Sequence, residues 1–116
     1  MEMRRVVVTG LGSLTPIGNN VEQYWQGLIN GVSGAAPITH FDASQAKTQF
    51  ACEVKDFDAS QFFDRKEARK YDKFSQYGIV AATQAMENCG IDLEKLDKDR
   101  AGVIWASGIG GISTFQ

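Results

Sequence analysis

Arg5-Val6-Val7-Val8-Thr9-Gly10-Leu11-Gly12, followed closely by Pro16-Ile17-Gly18, is the stretch on which the fold of this chain turns. Arg4 and Arg5 precede three β-branched residues and a glycine turn, the pattern with which a buried strand opens an α/β domain. A strand is predicted over Arg4–Gly10. A glycine turn after such a strand raises the question of dinucleotide binding. That fingerprint is G-x-G-x-x-G, its third glycine letting the following helix pack close to the strand. Gly10 and Gly12 fit, but Thr15 holds the third position and Pro16 follows it. Proline offers no N–H to a phosphate and restricts the residue before it to extended backbone, so no helix runs undisturbed from Gly12 through Pro16. The acidic residue expected at the end of a second strand, about twenty positions on, is missing too. Glu22 falls inside a predicted helix and Asp42 in a loop. A nucleotide-binding domain is therefore the weakest alternative.

Composition narrows the class. A chain of 116 residues, 43% hydrophobic, matches one small domain able to bury a core. Its formal charge of −2 is too small for electrostatic capture of nucleic acid or an anionic membrane. No apolar run approaches the ~20 residues of a membrane span. The three valines after Arg5 fall far short of a signal peptide's apolar region. Cys52 and Cys89 stand apart, with no Cys/His clustering, which indicates neither a disulfide framework nor a metal site. These features describe a cytoplasmic α/β protein with no nucleic-acid or membrane partner.

The remaining elements follow from caps and periodicity. Asn20 can cap a helix at Val21–Asn30, with Gln23 at the capping-box position and Gly31 as the stop. Residues 32–47 read as loop, Thr48–Val54 as a short strand and Ser60–Phe63 as a helical turn. A long helix is predicted to start between Lys66 and Asp72 and to run to Cys89, closed by Gly90; Arg100–Ala106 is the last strand. From Phe74 onward that helix carries Tyr77, Ile79, Val80, Ala81, Ala82, Ala85 and Met86, apolar around most of its circumference. Such a helix is expected between layers. The chain has few elements with which to surround it, so the expected partner surfaces belong to further sequence. On its own the chain is expected to be poorly soluble.

Two regions carry candidate function. Between Arg65 and Lys73, five basic residues (Arg65, Lys66, Arg69, Lys70, Lys73) stand against Glu67 and Asp72, a local charge of +3. Lys66 and Lys70 are four apart and Arg69 neighbours both, so on a helix they share a face. A compact basic face suits docking of an acidic partner, acting on encounter rate and orientation; the plainer reading is a solvated helix start. Ser107-Gly108-Ile109-Gly110-Gly111 is a glycine-rich turn at a strand end. Nested N–H groups there can cradle phosphate, but Ile109 presents a branched apolar side chain better suited to lining an apolar pocket. Neither cysteine reads as a nucleophile: Cys89 ends a helix, where the dipole disfavours a thiolate, and Cys52 falls in a strand as a small packing residue. His40, the only histidine, lies in a loop with no placed partner. No catalytic constellation is present.

Four segments in order, Arg5-Val6-Val7-Val8-Thr9-Gly10-Leu11-Gly12 with Pro16-Ile17-Gly18, Gly31-Val32-Ser33-Gly34, Asp64-Arg65-Lys66-Glu67-Ala68-Arg69-Lys70-Tyr71-Asp72 and Ser107-Gly108-Ile109-Gly110-Gly111, resemble the N-terminal quarter of a type II β-ketoacyl-[acyl-carrier-protein] synthase. The resemblance covers Met3 to Gln116. It implies the N-terminal part of a thiolase-like αβαβα layered fold, with residues 1–116 an incomplete portion of that domain. It implies a decarboxylating Claisen condensation in fatty-acid elongation by a homodimeric acyltransferase, with a nucleophilic Cys, two His and a Lys expected beyond Gln116 and no catalytic residue within the chain. By resemblance, Arg65, Lys66, Arg69 and Lys70 dock acyl carrier protein. Ser107, Gly108, Ile109 and Gly110 line the acyl pocket, Ile109 pointing to type II rather than type I. No cofactor is implied beyond the phosphopantetheine of the carrier. The family usually has Gly-Ser-Gly where this chain has Ala106-Ser107-Gly108, an added methyl that can shift the loop. A catalytically silent, chain-length-factor-like partner is the non-enzyme alternative.

Overall fold

A computed structural model describes residues 3–114; Met1, Glu2, Phe115 and Gln116, counted in the domain from the sequence, lie outside them. The first helix, α1, spans Val21–Ile29. Asn20 caps it from extended backbone, its side chain accepting the Gln23 N–H at 2.9 Å. Gln23 reciprocates one residue further out, its Oε1 accepting the Asn19 N–H at 3.0 Å. Gly31 follows with φ 63°, the left-handed conformation that ends a helix at low cost when no Cβ is present. The helix stops one residue short of the predicted Asn30, which serves as its C-cap.

The predicted long helix is capped at Asp72, the late end of its expected start, and a separate turn precedes it. A single turn, α2, covers Arg65–Ala68, and the helix proper, α3, covers Lys73–Cys89. Asp64 caps the first and Asp72 occupies the capping position of the second, both in extended backbone. Two cap residues eight positions apart give two starts, and Tyr71-Asp72 cannot continue the first turn into the second. Gly90, at φ 61°, closes α3 where predicted.

α3 is the element around which the chain is arranged. Gly10 and Gly12 lie against it so closely that a Cβ on Gly10 would come within 2.6 Å of Cys89 Cβ, and one on Gly12 within 2.8 Å of the Ala85 amide nitrogen. These glycines, with Ala81 and Ala85 opposite, permit a close approach of segment to helix. Pro16-Ile17 sit in a tight turn closed by the Thr15 N–H bond to the Gly18 carbonyl at 2.8 Å, so the loop turns back instead of opening a phosphate cradle. Polar side chains of α3 fasten the same segment. Asn88 Oδ1 accepts the Leu11 N–H at 3.0 Å, and Gln84 accepts from Ser13 N–H at 3.1 Å while donating to Asn19 O at 2.8 Å.

Two predicted strands are not formed. Residues 4–10 and 100–106 pair with no other segment among the described residues. A strand exists only in a ladder, and β-branched runs supply the propensity but not the partner. Both segments are exposed: Val6 at 88%, Val103 at 88% and Ile104 at 99%. The ladder present joins β1, Ala36–Pro37, to β2, Phe50–Ala51, antiparallel, with Ala36 opposite Ala51. β1 lies in the predicted loop 32–47, and β2 is all that pairs of the predicted Thr48–Val54. Cys52, expected buried in that strand, is exposed just past its end. A 3-10 turn at Ala59–Gln61 replaces the predicted Ser60–Phe63.

Only one face of α3 is covered. Gln76 and Val80 are buried, whereas Phe74, Ile79 and Met86 remain between 38% and 45% exposed. Ala43 and Val80 are the buried apolar residues among those described. The radius of gyration, 17.6 Å, exceeds the ~13 Å of a compact 100-residue domain. No helix among the described residues is long and apolar enough to cross a membrane.

Candidate functional site

The cationic segment is built on α2. Asp64 Oδ1 accepts the N–H groups of Lys66 at 2.8 Å and Glu67 at 2.7 Å, satisfying two of the donors that a helix start leaves open. Lys70 lies past the end of the turn, yet its N–H still bonds the Glu67 carbonyl at 2.9 Å. Lys66 and Lys70 therefore do not share a regular helix. The turn nonetheless brings Arg65, Lys66, Arg69 and Lys70 around one open groove of about 500 Å³. All four are exposed, and among the described residues none has a carboxylate within 4.0 Å. Lys73, the fifth basic residue of the cluster, is diverted: its Nζ lies 5.4 Å above the Phe57 ring.

Aromatic residues and one amide tie the segments around α2 to α3. Phe57 packs edge-on to Tyr77 at 5.0 Å between centroids and parallel to Phe62 at 5.9 Å, while Phe63 meets Tyr71 at 5.9 Å. Burial, and then the nearby Glu53 carboxylate, raise the Tyr77 phenol above its ordinary range. Gln76, on the buried face of α3, donates to Ala68 O at 2.8 Å and to Tyr71 O at 3.0 Å. Asp64 had a signal in the sequence, an acidic residue followed three positions later by Glu67; Gln76 had none, because its partners lie across the break between the helices.

Glu53 closes the hairpin by bonding residues on the side of its first strand. Its carboxylate accepts the Thr39 hydroxyl at 2.6 Å, the Thr39 N–H at 3.1 Å and the His40 N–H at 3.4 Å. The Thr39 hydroxyl is the chief cause that holds this carboxyl below its ordinary range. His40 Nδ1 stands 3.8 Å from the same carboxylate, on a side chain 67% exposed. Its surroundings are those of a structural contact. The Cys89 thiol donates to the Met86 carbonyl at 3.1 Å, at the carbonyl end of α3.

An apolar trough of about 380 Å³ runs between α3 and residues 103–105, with Tyr71 (next in sequence to Lys70 of the cationic groove), Phe74, Gly78 and Trp105 among its walls. A methyl on Gly78 would come within 3.0 Å of Trp105 Nε1, so the bare helix face is what lets the indole settle. Ser107, Gly108, Ile109 and Gly110 form a turn beyond the trough: Ser107 Oγ accepts the Gly110 N–H at 3.0 Å, Gly110 has φ 75°, and Ile109 is 76% exposed. Gly110 approaches the Phe74 ring, on the trough's wall. Asp72 links this segment to the start of α3, its Oδ1 accepting the Thr114 hydroxyl at 2.6 Å. The cationic groove and the glycine turn thus flank the first turn of α3.

The family model described as "Beta-ketoacyl synthase, N-terminal domain" matches residues 3–116. The chain belongs to the β-ketoacyl synthase family. It is 48% identical over its whole length to 3-oxoacyl-[acyl-carrier-protein] synthase 2 of Synechocystis sp., and 49% identical to the protein of that name from Coxiella burnetii. In both cases it spans 28% of the relative's length. Among solved structures it is similar to the ishigamide ketosynthase/chain length factor, with TM-score 0.71 and 39% identity over 80% of this chain and 23% of that one. A second likeness is to AntDE:AntF, a type II polyketide acyl carrier protein in complex with its ketosynthase bound to the hexaketide. It has TM-score 0.61 and 33% identity over 84% of this chain and 24% of that one. The fold of this β-ketoacyl synthase chain is accordingly thiolase-like, with mixed helix and strand.

Proposed function

We propose that the protein is a 3-oxoacyl-[acyl-carrier-protein] synthase, in which residues 1–116 form the N-terminal portion of a larger thiolase-fold domain and dock the carrier protein. The observation that carries the docking is the groove of Arg65, Lys66, Arg69 and Lys70, four exposed cations without a carboxylate partner among the described residues. They stand on a chain similar to enzymes named for the acyl carrier protein. Carrier proteins are acidic, so the charges favour a fast, oriented encounter. Ser107, Gly108, Ile109 and Gly110 contribute to the acyl pocket, beside the apolar trough.

In the reaction proposed, an acyl group is transferred from its carrier to a cysteine thiolate beyond Gln116. Malonyl-carrier then loses carbon dioxide, and its carbanion attacks the enzyme thioester. The C–S bond breaks, the thiolate returns, and 3-oxoacyl-carrier is released. The two histidines and the lysine that assist are also placed beyond Gln116. Residues 1–116 alone are inactive in this reading, and the working protein is a cytoplasmic homodimer that needs no cofactor besides the carrier's phosphopantetheine.

The test is incubation of the full-length protein with acyl-carrier and malonyl-carrier, followed by mass mapping of the acylated thiol. The proposal expects 3-oxoacyl-carrier as product, with the adduct on a cysteine other than Cys52 or Cys89. An adduct on either of these two would overturn it. Absence of both product and adduct would favour a catalytically silent subunit, a reading suggested by the neighbour that pairs a ketosynthase with a chain length factor.

A further inference from the structure

We propose that Gln76 is the positioning residue of the cationic groove, holding Arg69 and Lys70 in place through the two backbone carbonyls that it binds. This deepens the docking reading and rests on it. α2 is one turn long, too short to hold itself, because helix nucleation costs more than one turn returns. Its start is held by Asp64. Its end faces the difficulty of every helix end, carbonyls with no partner in the helix. Gln76 supplies that partner from α3, with Nε2 at 2.8 Å from Ala68 O and 3.0 Å from Tyr71 O. Arg69 and Lys70 lie between those two carbonyls, outside the regular helix, so this amide pins both ends of their stretch of backbone, alongside the Lys70 N–H bond to the Glu67 carbonyl.

The orientation of the amide follows from its partners. Both are carbonyl oxygens and accept only, so the NH₂ group must face them. The cost is visible on its other side: Gln76 is 5% exposed, and its Oε1 finds no partner among the described residues. On the buried face of a helix, one turn before Val80, a residue needed only for packing would be apolar, since buried polar groups without partners are costly. Two hydrogen bonds from one buried amide to the carbonyls at the end of α2 are what a polar residue on this face supplies.

The experiment uses the full-length protein and its Gln76→Met variant, which keeps the length and helix preference of the side chain and removes both donors. Amide exchange and binding of holo acyl carrier protein are measured over a series of salt concentrations. Exchange at Arg69 and Lys70 is expected to quicken at least tenfold while the middle of α3 keeps its protection. The Kd should rise at least fivefold with an unchanged salt slope, because all four cations remain. Lys66→Glu/Lys70→Glu, by contrast, should flatten that slope. If Gln76→Met fails to fold, Gln76→Asn, which draws the amide back by one methylene, is read in the same way. Unchanged exchange at Arg69 and Lys70, an equal loss of protection along α3, or faster local exchange with unchanged Kd would each overturn the proposal. If Lys66→Glu/Lys70→Glu leaves the Kd unchanged, the docking reading itself fails, and the exchange data decide separately whether Gln76 fixes this stretch of backbone.

Discussion

Replacing Gly12 by Ala tests whether the glycine turn serves packing against α3. The new Cβ would lie 2.8 Å from the Ala85 amide nitrogen and 3.0 Å from the Ala81 carbonyl carbon. Both neighbours are helix backbone, which cannot swing aside as a side chain can, so segment and helix must separate. Overpacking of this kind costs about 1–3 kcal/mol. At about 2–4 °C per kcal/mol for a domain of 150–250 residues, the melting temperature should fall by about 2–12 °C. The assay is a thermal melt of the full-length protein followed by circular dichroism, with Gly108→Ala as control. Nothing lies within 4 Å of a Cβ at Gly108 and its φ is not in the left-handed region, so the control should be nearly silent. Equal melting of the two variants would refute the close approach and reopen a ligand-binding role for the turn.

Glu53→Gln should destabilise the hairpin end in a pH-dependent way. The folded-state pKa of Glu53 is depressed, so its contribution is present above the unfolded value and is lost as pH falls through the folded one. The gap in melting temperature between wild type and variant should accordingly be full at pH 7 and shrink as the pH falls below the ordinary carboxylate range; a gap that shows no pH dependence through acid titration would contradict the hydrogen-bond account. Thr114→Val removes the donor to Asp72, and at about 1 kcal/mol for such a bond the amide of Thr114, bonded to Gly111 O, should exchange about fivefold faster. Unchanged exchange would mean that the Asp72 contact does not hold the segment. Asp64→Ala should cost about 0.5–2 kcal/mol locally, read as loss of helical chemical shifts at Lys66 and Glu67; shifts left as they are would show that α2 is held from elsewhere.

What the sequence discloses and what it conceals divide along contact range. α1 and the C-terminal end of α3 were legible because their signals are local: Asn20 and Gln23 at one end, Gly31 and Gly90 at the others. The start of α3 is legible only to within Lys66–Asp72, because a run of good helix formers blurs Asp72 as its cap, and no clear local signal sets the turn at Arg65–Ala68 apart from it. The valines at 6–8 and the Val103-Ile104-Trp105 run announce strands, but a ladder depends on a partner that no local pattern supplies, and the described residues contain none. Cys52 was misplaced for the same reason, its strand being only Phe50–Ala51. The four cations of the groove were readable as a cluster. That Lys73 leaves them for Phe57, and that Gln76 holds the turn beneath them, depends on residues brought together only by the fold. The family was legible because it rests on four ordered segments rather than on any one contact.

The measurement that bears most directly on the account is the affinity of holo acyl carrier protein for the full-length protein and for its Lys66→Glu/Arg69→Glu/Lys70→Glu variant, at low and at high salt. Each exposed charge pair contributes about 0.2–1 kcal/mol, and reversal replaces three attractions with three repulsions, about 1–6 kcal/mol in all, so the variant should bind at least about tenfold more weakly at low salt. The difference should shrink as salt screens the exposed charges. Equal affinity of the two proteins at low salt would contradict the assignment of this groove to the carrier.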